Sequence, residues 1–349
     1  MRYLRNTWYV AAHSHEVNLG ELFHRRILNE LVLMFRDRAG VASAIVDRCP
    51  HRFVPLHMGK LKGGNVECAY HGLQFDGSGS CVFNPHGVVP KQAKVKTYPL
   101  AERYGLLWIW MGDAEKADPT LIPVYKSLDP AVWKILRGYI TVGANYLLET
   151  DNILDLGHIE FLHPGFFGSE AILRAKTEVR QEGTTVHSNR LTHDELLPPF
   201  LDKSFDARGR PVDRWLNTRW DAPALMELDV GATLTGRLHS EGRSIPGCHF
   251  FTPETDRKTH YFWTYSRDYE RDNEALDKEI MDGVIYAFEY QDKPVIEAQQ
   301  HSIGDQDLMS LRPVLLPGDA AAARARRVLQ KLIEAEEIGA DPVQTDQVG

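Results

Sequence analysis

The stretch 49-CPHRFVPLHMGKLKGGNVECAYHGLQF-75 contains two short pairs of metal-binding side chains. The pairs are Cys49-x-His51 and Cys68-x2-His71. Each follows a short run that is typical of a β-strand and leads into turn-forming residues, with Gly72 directly after the last histidine. Two loops at one end of a β domain can close on a single metal centre.

Two Cys and two His in this order are the ligands of a Rieske [2Fe-2S] centre, in which the thiolates hold one iron and the imidazoles the other. Zinc also accepts this ligand set, but zinc ribbons pair two cysteines and zinc fingers place both histidines on a helix. The third interpretation is a chance arrangement, although the chain has only 4 cysteines and 15 histidines. The sequence predicts a Rieske cluster with Cys49, His51, Cys68 and His71 as ligands.

Four other cysteines and histidines are not expected to bind metal. Cys81 and Cys248 have no partner at ligand spacing, so we interpret them as small apolar residues. His57 and His86 lie near the ligand loops in sequence, but the four cluster positions are already filled.

The composition is that of an ordinary globular protein. The chain has 349 residues, 43% of them hydrophobic, and a net charge of −8. Its apolar runs are far shorter than the roughly 20 residues that a membrane span needs, and its start does not resemble a signal peptide. We expect a cytoplasmic protein that binds neither membranes nor nucleic acid.

The pattern along the chain predicts two domains. Residues 1–115 contain short β-runs, residues 116–140 are a linker rich in Pro and Asp, and residues 141–338 mix helices and strands. Residues 339–349 are expected to be a flexible tail.

A second group of candidate ligands lies in NYLLETDNILDLGHIEFLHPG, for which a helix is predicted over 145–162. His158 and His163 are about 140° apart on an ideal helix, which is unfavourable for a shared metal. Gly157 and Pro164 offer reasons for a bend or an end there. Asp155 precedes His158 by three residues and therefore shares its helix face.

A catalytic non-haem iron needs two histidines and one carboxylate, with coordination positions left open. The late segment FEYQDKPVIEAQQH offers Asp292, with Glu289 and Glu297 as weaker candidates. Without the neighbouring cluster motif, His158 and His163 would be interpreted as structural; beside it, an iron site is the better interpretation.

Six motifs together resemble the oxygenase components of Rieske non-haem iron monooxygenases, the short type typified by vanillate O-demethylase, dicamba O-demethylase and toluenesulfonate methyl-monooxygenase. The motifs are NTWYVAA, CPH…CAYHGLQF, YGLLWIWMGD, DNILDLGHIEFLH, TPET and QDKPVIEAQQ. The resemblance covers nearly the whole chain. It implies an α+β protein, with an N-terminal antiparallel β Rieske domain and a C-terminal helix-grip domain, a curved antiparallel sheet with helices.

The resemblance also implies roles for individual residues. The iron ligands would be His158, His163 and Asp292. Asn152 would lie near the iron, and Asp155 would link His71 of one subunit to His158 of the next. Such oxygenases are typically head-to-tail homotrimers.

The implied activity is that of a terminal oxygenase, which removes the methyl group of a small methoxylated aromatic, expected to be an aromatic acid, with O2. No G-x-G-x-x-G motif follows a strand, so electrons from NAD(P)H are expected through a separate ferredoxin or flavin reductase. Methyl or ring hydroxylation and N-demethylation remain open at the same site. A Rieske electron carrier, or a zinc-stabilised binding protein, is the alternative from another class.

Substrate contacts are expected between residues 225 and 251. By resemblance His249 matches a substrate-contacting position, although a structural histidine in a strand is an equal interpretation. Glu227 falls where the dicamba-type relative has a neutral amide. Further polar candidates are Arg237, His239 and Arg243. Apolar candidates, for either the pocket wall or the core, are Phe166, Phe167, Phe200 and Phe288.

Overall fold

The computed structural model describes residues 2–339 and divides into two compact units. The first comprises Met1–Ile122 with Thr252–Asp256, and the second comprises Pro123–Phe251 with Arg257–Gly349. Within the expected linker, 116–140, short 3-10 turns are followed by a strand that begins at Lys134. The domain boundaries at 115 and 141 stay predictions, and residues 340–349 of the expected tail lie outside the described part.

The first unit consists of three antiparallel sheets. One has the order β1-β11-β10, with β1 Trp8–His13, β10 Leu100–Arg103 and β11 Leu106–Trp110. The second has the order β2-β3-β4-β9, with β2 Phe23–Ile27, β3 Glu30–Arg36, β4 Ala42–Val46 and β9 Thr97–Tyr98. The third has the order β5-β6-β7-β8, with β5 Lys60–Lys62, β6 Asn65–Glu67, β7 Gln74–Phe75 and β8 Cys81–Phe83.

Burial explains why these short runs form strands. Every residue of β1 and β11 is buried, so both read as continuous apolar runs rather than as alternating ones. A hydrophobic core cluster of buried residues, which includes Leu33, Phe35 and Phe75, also contains Cys49 and Cys68. The two cysteines are therefore anchored in a packed core.

The second unit is built on a seven-stranded sheet with the order β12-β18-β17-β16-β15-β14-β13. The strands are β12 Lys134–Val142, β13 Thr177–Glu182, β14 Thr185–Glu195, β15 Val212–Asp221, β16 Leu225–Leu234, β17 Arg243–Thr255 and β18 Lys258–Arg267. Gly138 faces Trp263 and Gly231 faces Trp215 across neighbouring strands. A Cβ at either glycine would lie 2.0 Å from the indole, so these glycines admit large rings onto the sheet.

The α-helices of the described residues belong to this second unit. They are α1 Tyr146–Leu154, α2 Ile159–Leu162, α3 Glu170–Arg174, α4 Pro199–Phe205, α5 Glu274–Ile285, α6 Lys293–Ile303 and α7 Ala320–Glu337. A π-helical segment, Tyr286–Asp292, joins α5 to α6. The α+β class predicted from the sequence is confirmed. Among the helices within residues 2–339, none combines the length and the apolar character needed to cross a lipid bilayer.

Candidate metal centres

The two cysteine loops of the first unit have the same backbone geometry. Cys49 N donates to Val54 O at 2.9 Å, and Cys49 O accepts from Phe53 N at 2.9 Å. Cys68 makes the same two bonds at 2.8 and 3.0 Å, to residues at the same offsets along the chain. Phe53 and Gly72, each four residues after its cysteine, both adopt left-handed backbone conformations, with φ of 59° and 70°. The loops therefore present their side chains in equivalent ways.

The four candidate ligands are arranged with sulfur inside and imidazole outside. Cys49 and Cys68 are each 2% exposed, whereas His51 is exposed and His71 is half-buried. The two imidazole rings lie with their centroids 4.4 Å apart. Burial, and to a lesser extent the neighbouring Cys68 thiol, raises the pKa of Cys49 to about 11; metal binding would displace this proton. The donor set fits a [2Fe-2S] cluster.

The other nearby histidines and cysteines have their own contacts. His57 bonds Asp47 through its ring and its backbone N–H, and His86 Nε2 lies 3.1 Å from the carbonyl oxygen of His71. Cys248 is fully buried, and Cys81 lies 3.4 Å from the Phe83 carbonyl oxygen.

In the second unit His158, His163 and Asp292 converge. Their ligand atoms all lie within 4.8 Å of one another. Asp292 Oδ1 is 3.5 Å from His158 Nε2 and 3.3 Å from His163 Nε2. Non-haem iron oxygenases use two imidazole nitrogens and one carboxylate as ligands on one face of the iron, with the other positions left open. The donor set therefore fits a mononuclear iron.

A break in the helix removes the angular problem that the sequence posed. Helix α1 ends at Leu154, and Asp155 has an extended backbone with φ of −115°. His158 then lies in a 3-10 turn, and His163 caps the end of α2. Because the two histidines belong to different segments, the 140° separation of an ideal helix does not apply.

Each candidate ligand is held by a second group. His158 Nδ1 is 2.8 Å from the Asp155 carbonyl oxygen, and His163 Nδ1 is 2.8 Å from Gln291 Oε1. These bonds place a proton on Nδ1 and leave Nε2 as the ligand atom. Asn152 Nδ2 donates to Asp292 Oδ1 at 3.2 Å.

The pKa shifts of the two histidines differ in sign. Burial lowers the pKa of His158, and the Asp292 carboxylate offsets this only in part. For His163 burial also lowers the pKa, but bonds to Asp292 and Gln291 outweigh it and raise the pKa overall. A cation at this site would compete with protonation of His163, because both use the lone pair of Nε2.

The sequence did not point to Gln291. It lies beside Asp292 in the π-helical segment, and its partner His163 is 128 residues away. The weaker alternative Glu297 has its carboxylate engaged elsewhere, since it accepts from Gly143 N at 2.7 Å. Glu289 is not among the three residues that converge.

Asp155 lies at the surface end of the site. Its Oδ1 accepts from Gly157 N at 2.9 Å and lies 3.5 Å from Arg190 Nη2, and its side chain is 28% exposed. A Cβ at Gly318 would come within 2.5 Å of this same oxygen, so the chain passes close to Asp155.

A cavity of about 110 Å³ opens beside the three converging residues. Its wall is mostly apolar; Phe167 and Phe288 belong to it, whereas Phe166 stacks on Phe200 with centroids 4.3 Å apart. Ligand pockets are commonly apolar with a few placed polar groups. The cavity is thus the candidate substrate site.

His249 lies in the cavity wall, and Glu227 does not. Side chains alternate along β16, so Leu228 and Val230 line the cavity while Glu227 points to the other face of the sheet. There its carboxylate accepts from Ser127 Oγ at 2.5 Å and lies 3.6 Å from Arg219. This placement argues against the expected substrate contact of Glu227.

The remaining polar candidates also have other contacts. Arg237 pairs with Glu241 on the surface, and the ring of His239 lies over Trp215 with centroids 3.8 Å apart. Arg243 lies over the ring of Tyr269 at 4.2 Å.

Residues 7–99 match the Rieske [2Fe-2S] domain family, and residues 142–335 match the family of the vanillate O-demethylase oxygenase C-terminal domain. The chain therefore belongs to the Rieske non-haem iron oxygenases of the vanillate O-demethylase type. As a member it is an oxidoreductase that uses a Rieske [2Fe-2S] cluster, a mononuclear non-haem iron and O2.

Individual relatives are similar over nearly their full length. The iron-sulfur subunit of the toluene-4-sulfonate monooxygenase system of Comamonas testosteroni is 37% identical, with 97% of this chain and 100% of that protein covered. The oxygenase component of chloroacetanilide N-alkylformylase of Rhizorhabdus wittichii is 37% identical, with 96% and 97% covered. The crystal structure of dicamba monooxygenase bound to 3,6-dichlorosalicylic acid superposes with a TM-score of 0.90 at 34% identity, with 97% and 99% covered.

Proposed function

We propose that this chain is the terminal oxygenase of a multicomponent system that O-demethylates a small methoxylated aromatic. The overall reaction converts the aryl methyl ether, O2, NAD(P)H and a proton into the phenol, formaldehyde, NAD(P)+ and water. The convergence of His158, His163 and Asp292 on one side of an apolar cavity is the observation that carries the proposal.

The chain's own residues supply ligands, orientation and exclusion of water. We assign Cys49, His51, Cys68 and His71 to the cluster, and His158, His163 and Asp292 to the mononuclear iron. When bound, these groups provide single-electron transfer and activation of O2.

Other side chains orient the iron ligands and hold the substrate. Gln291 and the Asp155 carbonyl keep the Nδ1 protons in place, and Asn152 donates to Asp292. Phe167 and Phe288 pack against an aromatic substrate in a cavity whose apolar wall keeps bulk water away.

Asp155 is assigned to the link between the two centres. Its carbonyl oxygen orients His158, and its carboxylate is partly exposed. In a head-to-tail homotrimer this carboxylate would bond His71 of the neighbouring subunit. A ferredoxin or flavin reductase would deliver the electrons.

A screen of methoxybenzenes and methoxybenzoates with a surrogate reductase tests the proposal. We expect formaldehyde in a one-to-one ratio to the phenol, and no turnover of NAD(P)H and substrate by the oxygenase alone. Hydroxylated product without formaldehyde would replace O-demethylation by methyl or ring hydroxylation. Turnover restricted to chloroacetanilides would instead favour the activity in the name of the Rhizorhabdus relative, a chloroacetanilide N-alkylformylase.

A further inference from the structure

Arg214 lines the cavity beside the candidate iron ligands, and within residues 2–339 it is the only lysine or arginine in the wall. Its side chain is 1% exposed, and that of its partner Glu195 is fully buried. Arg214 Nη2 lies 2.8 Å from Glu195 Oε1, and Nε donates to Glu195 Oε2 at 3.1 Å. The remaining nitrogen, Nη1, donates to the Phe167 carbonyl oxygen at 2.9 Å. The positive charge at the cavity wall is therefore matched by a carboxylate that does not itself line the cavity.

Two hydroxyl groups hold the Glu195 carboxylate in this position. Ser169 Oγ donates to Oε1 at 2.5 Å, and Thr192 Oγ1 donates to Oε2 at 2.5 Å. With Arg214, each carboxylate oxygen has two partners, as a buried carboxylate requires. Burial lowers the pKa of Arg214, but an arginine stays protonated near pH 7. The two residues therefore form a charged and internally satisfied pair.

The other ionisable groups of the wall add no free positive charge. Burial lowers the pKa of His249 to about 4, so its ring is neutral near pH 7. Glu160 and Arg190, which do not line the cavity, shift the pKa of Arg214 in opposite directions. The assigned iron ligands complete the set: His158, His163 and Asp292. Within the described part of the chain, a substrate carboxylate would find no unpaired lysine or arginine in this wall.

We propose that Glu195 makes the cavity selective for uncharged aromatic substrates, because it neutralises the cationic side chain that could otherwise pair with a substrate carboxylate. An ionised carboxylate loses its hydration in an apolar cavity and needs a paired charge in return. The inference deepens the proposed function and rests on it only in taking this cavity as the substrate site. It departs from the aromatic acid that the resemblance implies. Glu195 is a positioning residue that acts through Arg214.

Three ligands of nearly the same shape test the selection. Binding of 3-methoxybenzamide, 3-methoxytoluene and 3-methoxybenzoate to the iron-loaded protein is measured at pH 7.5 by anaerobic calorimetry without reductase, so no turnover occurs. We expect the two uncharged ligands to bind at least about tenfold more tightly than the benzoate, because only the benzoate brings an unpaired charge into the cavity.

Two variants assign the preference to the pair. Glu195→Gln keeps the shape of the side chain but removes the charge that Arg214 contacts. The affinity for the benzoate should rise at least about tenfold, and the affinity for the uncharged ligands should change less than about threefold. The double variant Glu195→Gln/Arg214→Met removes both charges and should return to the wild-type preference. Because it buries no unpaired charge, it keeps the test decisive where the single variant does not fold.

Glu227→Gln is the matched control. Glu227 also lies near an arginine, with its carboxylate 3.6 Å from Arg219 Nη1, but neither residue lines the cavity. Removal of this charge should leave the preference among the three ligands as it is in the wild type.

Three results would overturn the inference. They are wild-type protein that binds the benzoate as tightly as the uncharged ligands, an unchanged benzoate affinity in Glu195→Gln, and a double variant that binds the benzoate as tightly as the amide. Absence of formaldehyde in turnover of the uncharged ligands, with the binding preference intact, would instead count against O-demethylation and leave the role of Glu195 standing.

Discussion

Asp155 makes separate contacts through its backbone carbonyl and its side-chain carboxylate. Its carbonyl oxygen orients His158, and its carboxylate, which is partly exposed, lies near Arg190. The backbone contact survives any change of side chain, so a substitution separates the ligand-orienting role from the role of the carboxylate.

Asp155→Asn should therefore keep both metal centres while reductase-driven turnover falls by at least about tenfold, the scale seen when groups that support metal ligands are lost. Iron content and the visible spectrum of the cluster provide the control. Wild-type turnover in the variant would argue against the assigned link between the centres.

The low pKa of His249 predicts how ligand affinity depends on pH. Burial lowers it to about 4, below its ordinary value, so the ring is already neutral at pH 6 and stays neutral at higher pH. Affinity for 3-methoxybenzamide should accordingly be flat between pH 6 and pH 9. An affinity that fell about tenfold per unit of rising pH would mean that the protonated ring binds.

Some residues of the candidate site can be identified from the sequence, and others cannot. The neighbouring cluster motif makes His158 and His163 candidate iron ligands despite their unfavourable spacing. The need for a carboxylate then favours Asp292 in the late segment. Gln291 carries no local signal, since its role exists only through His163, which belongs to another element. The sheet face on which Glu227 lies depends on the register of β16, which the sequence alone does not give.

At the scale of elements, two irregularities place the iron ligands. The break after α1 puts His158 and His163 on separate segments, and the sequence indicated it through Gly157. The π-helical segment Tyr286–Asp292 places Phe288, Gln291 and Asp292 at the site. Apolar periodicity does not reveal this segment, because a shift from i+4 to i+5 bonding leaves little trace in the pattern.

Helix α7 holds α1 in place through one ion pair. Arg326 donates to Asp151 from Nε at 3.0 Å and from Nη2 at 2.6 Å, next to Asn152. Arg326→Ala should lower the free energy of unfolding by about 2 kcal/mol, because it leaves the Asp151 charge without its partner. Arg327→Ala is the control, with an expected change within about 0.5 kcal/mol, since Arg327 is exposed and, among residues 2–339, bonds only Ala323 O. Equal effects in chemical denaturation would contradict this role for the pair.

At the scale of the whole molecule, the proposal requires electrons to pass between subunits. A variant without the cluster, Cys68→Ala, and one without the iron, Asp292→Ala, should each be inactive alone. Co-expressed in mixed oligomers, they should regain part of the wild-type turnover, because a cluster of one chain can serve the iron of the next. No recovery in oligomers shown to contain both chains would place the transfer within one chain.

One chain is expected to hold both an electron-transfer cluster and a separate oxygen-activating iron. Iron analysis of the purified protein, with its visible spectrum, tests this most directly. We predict about three irons per chain, and about two in Asp292→Ala with an unchanged cluster spectrum. Two irons in both proteins would mean that no separate mononuclear iron is bound, and zinc in place of iron would rule out both assigned iron centres.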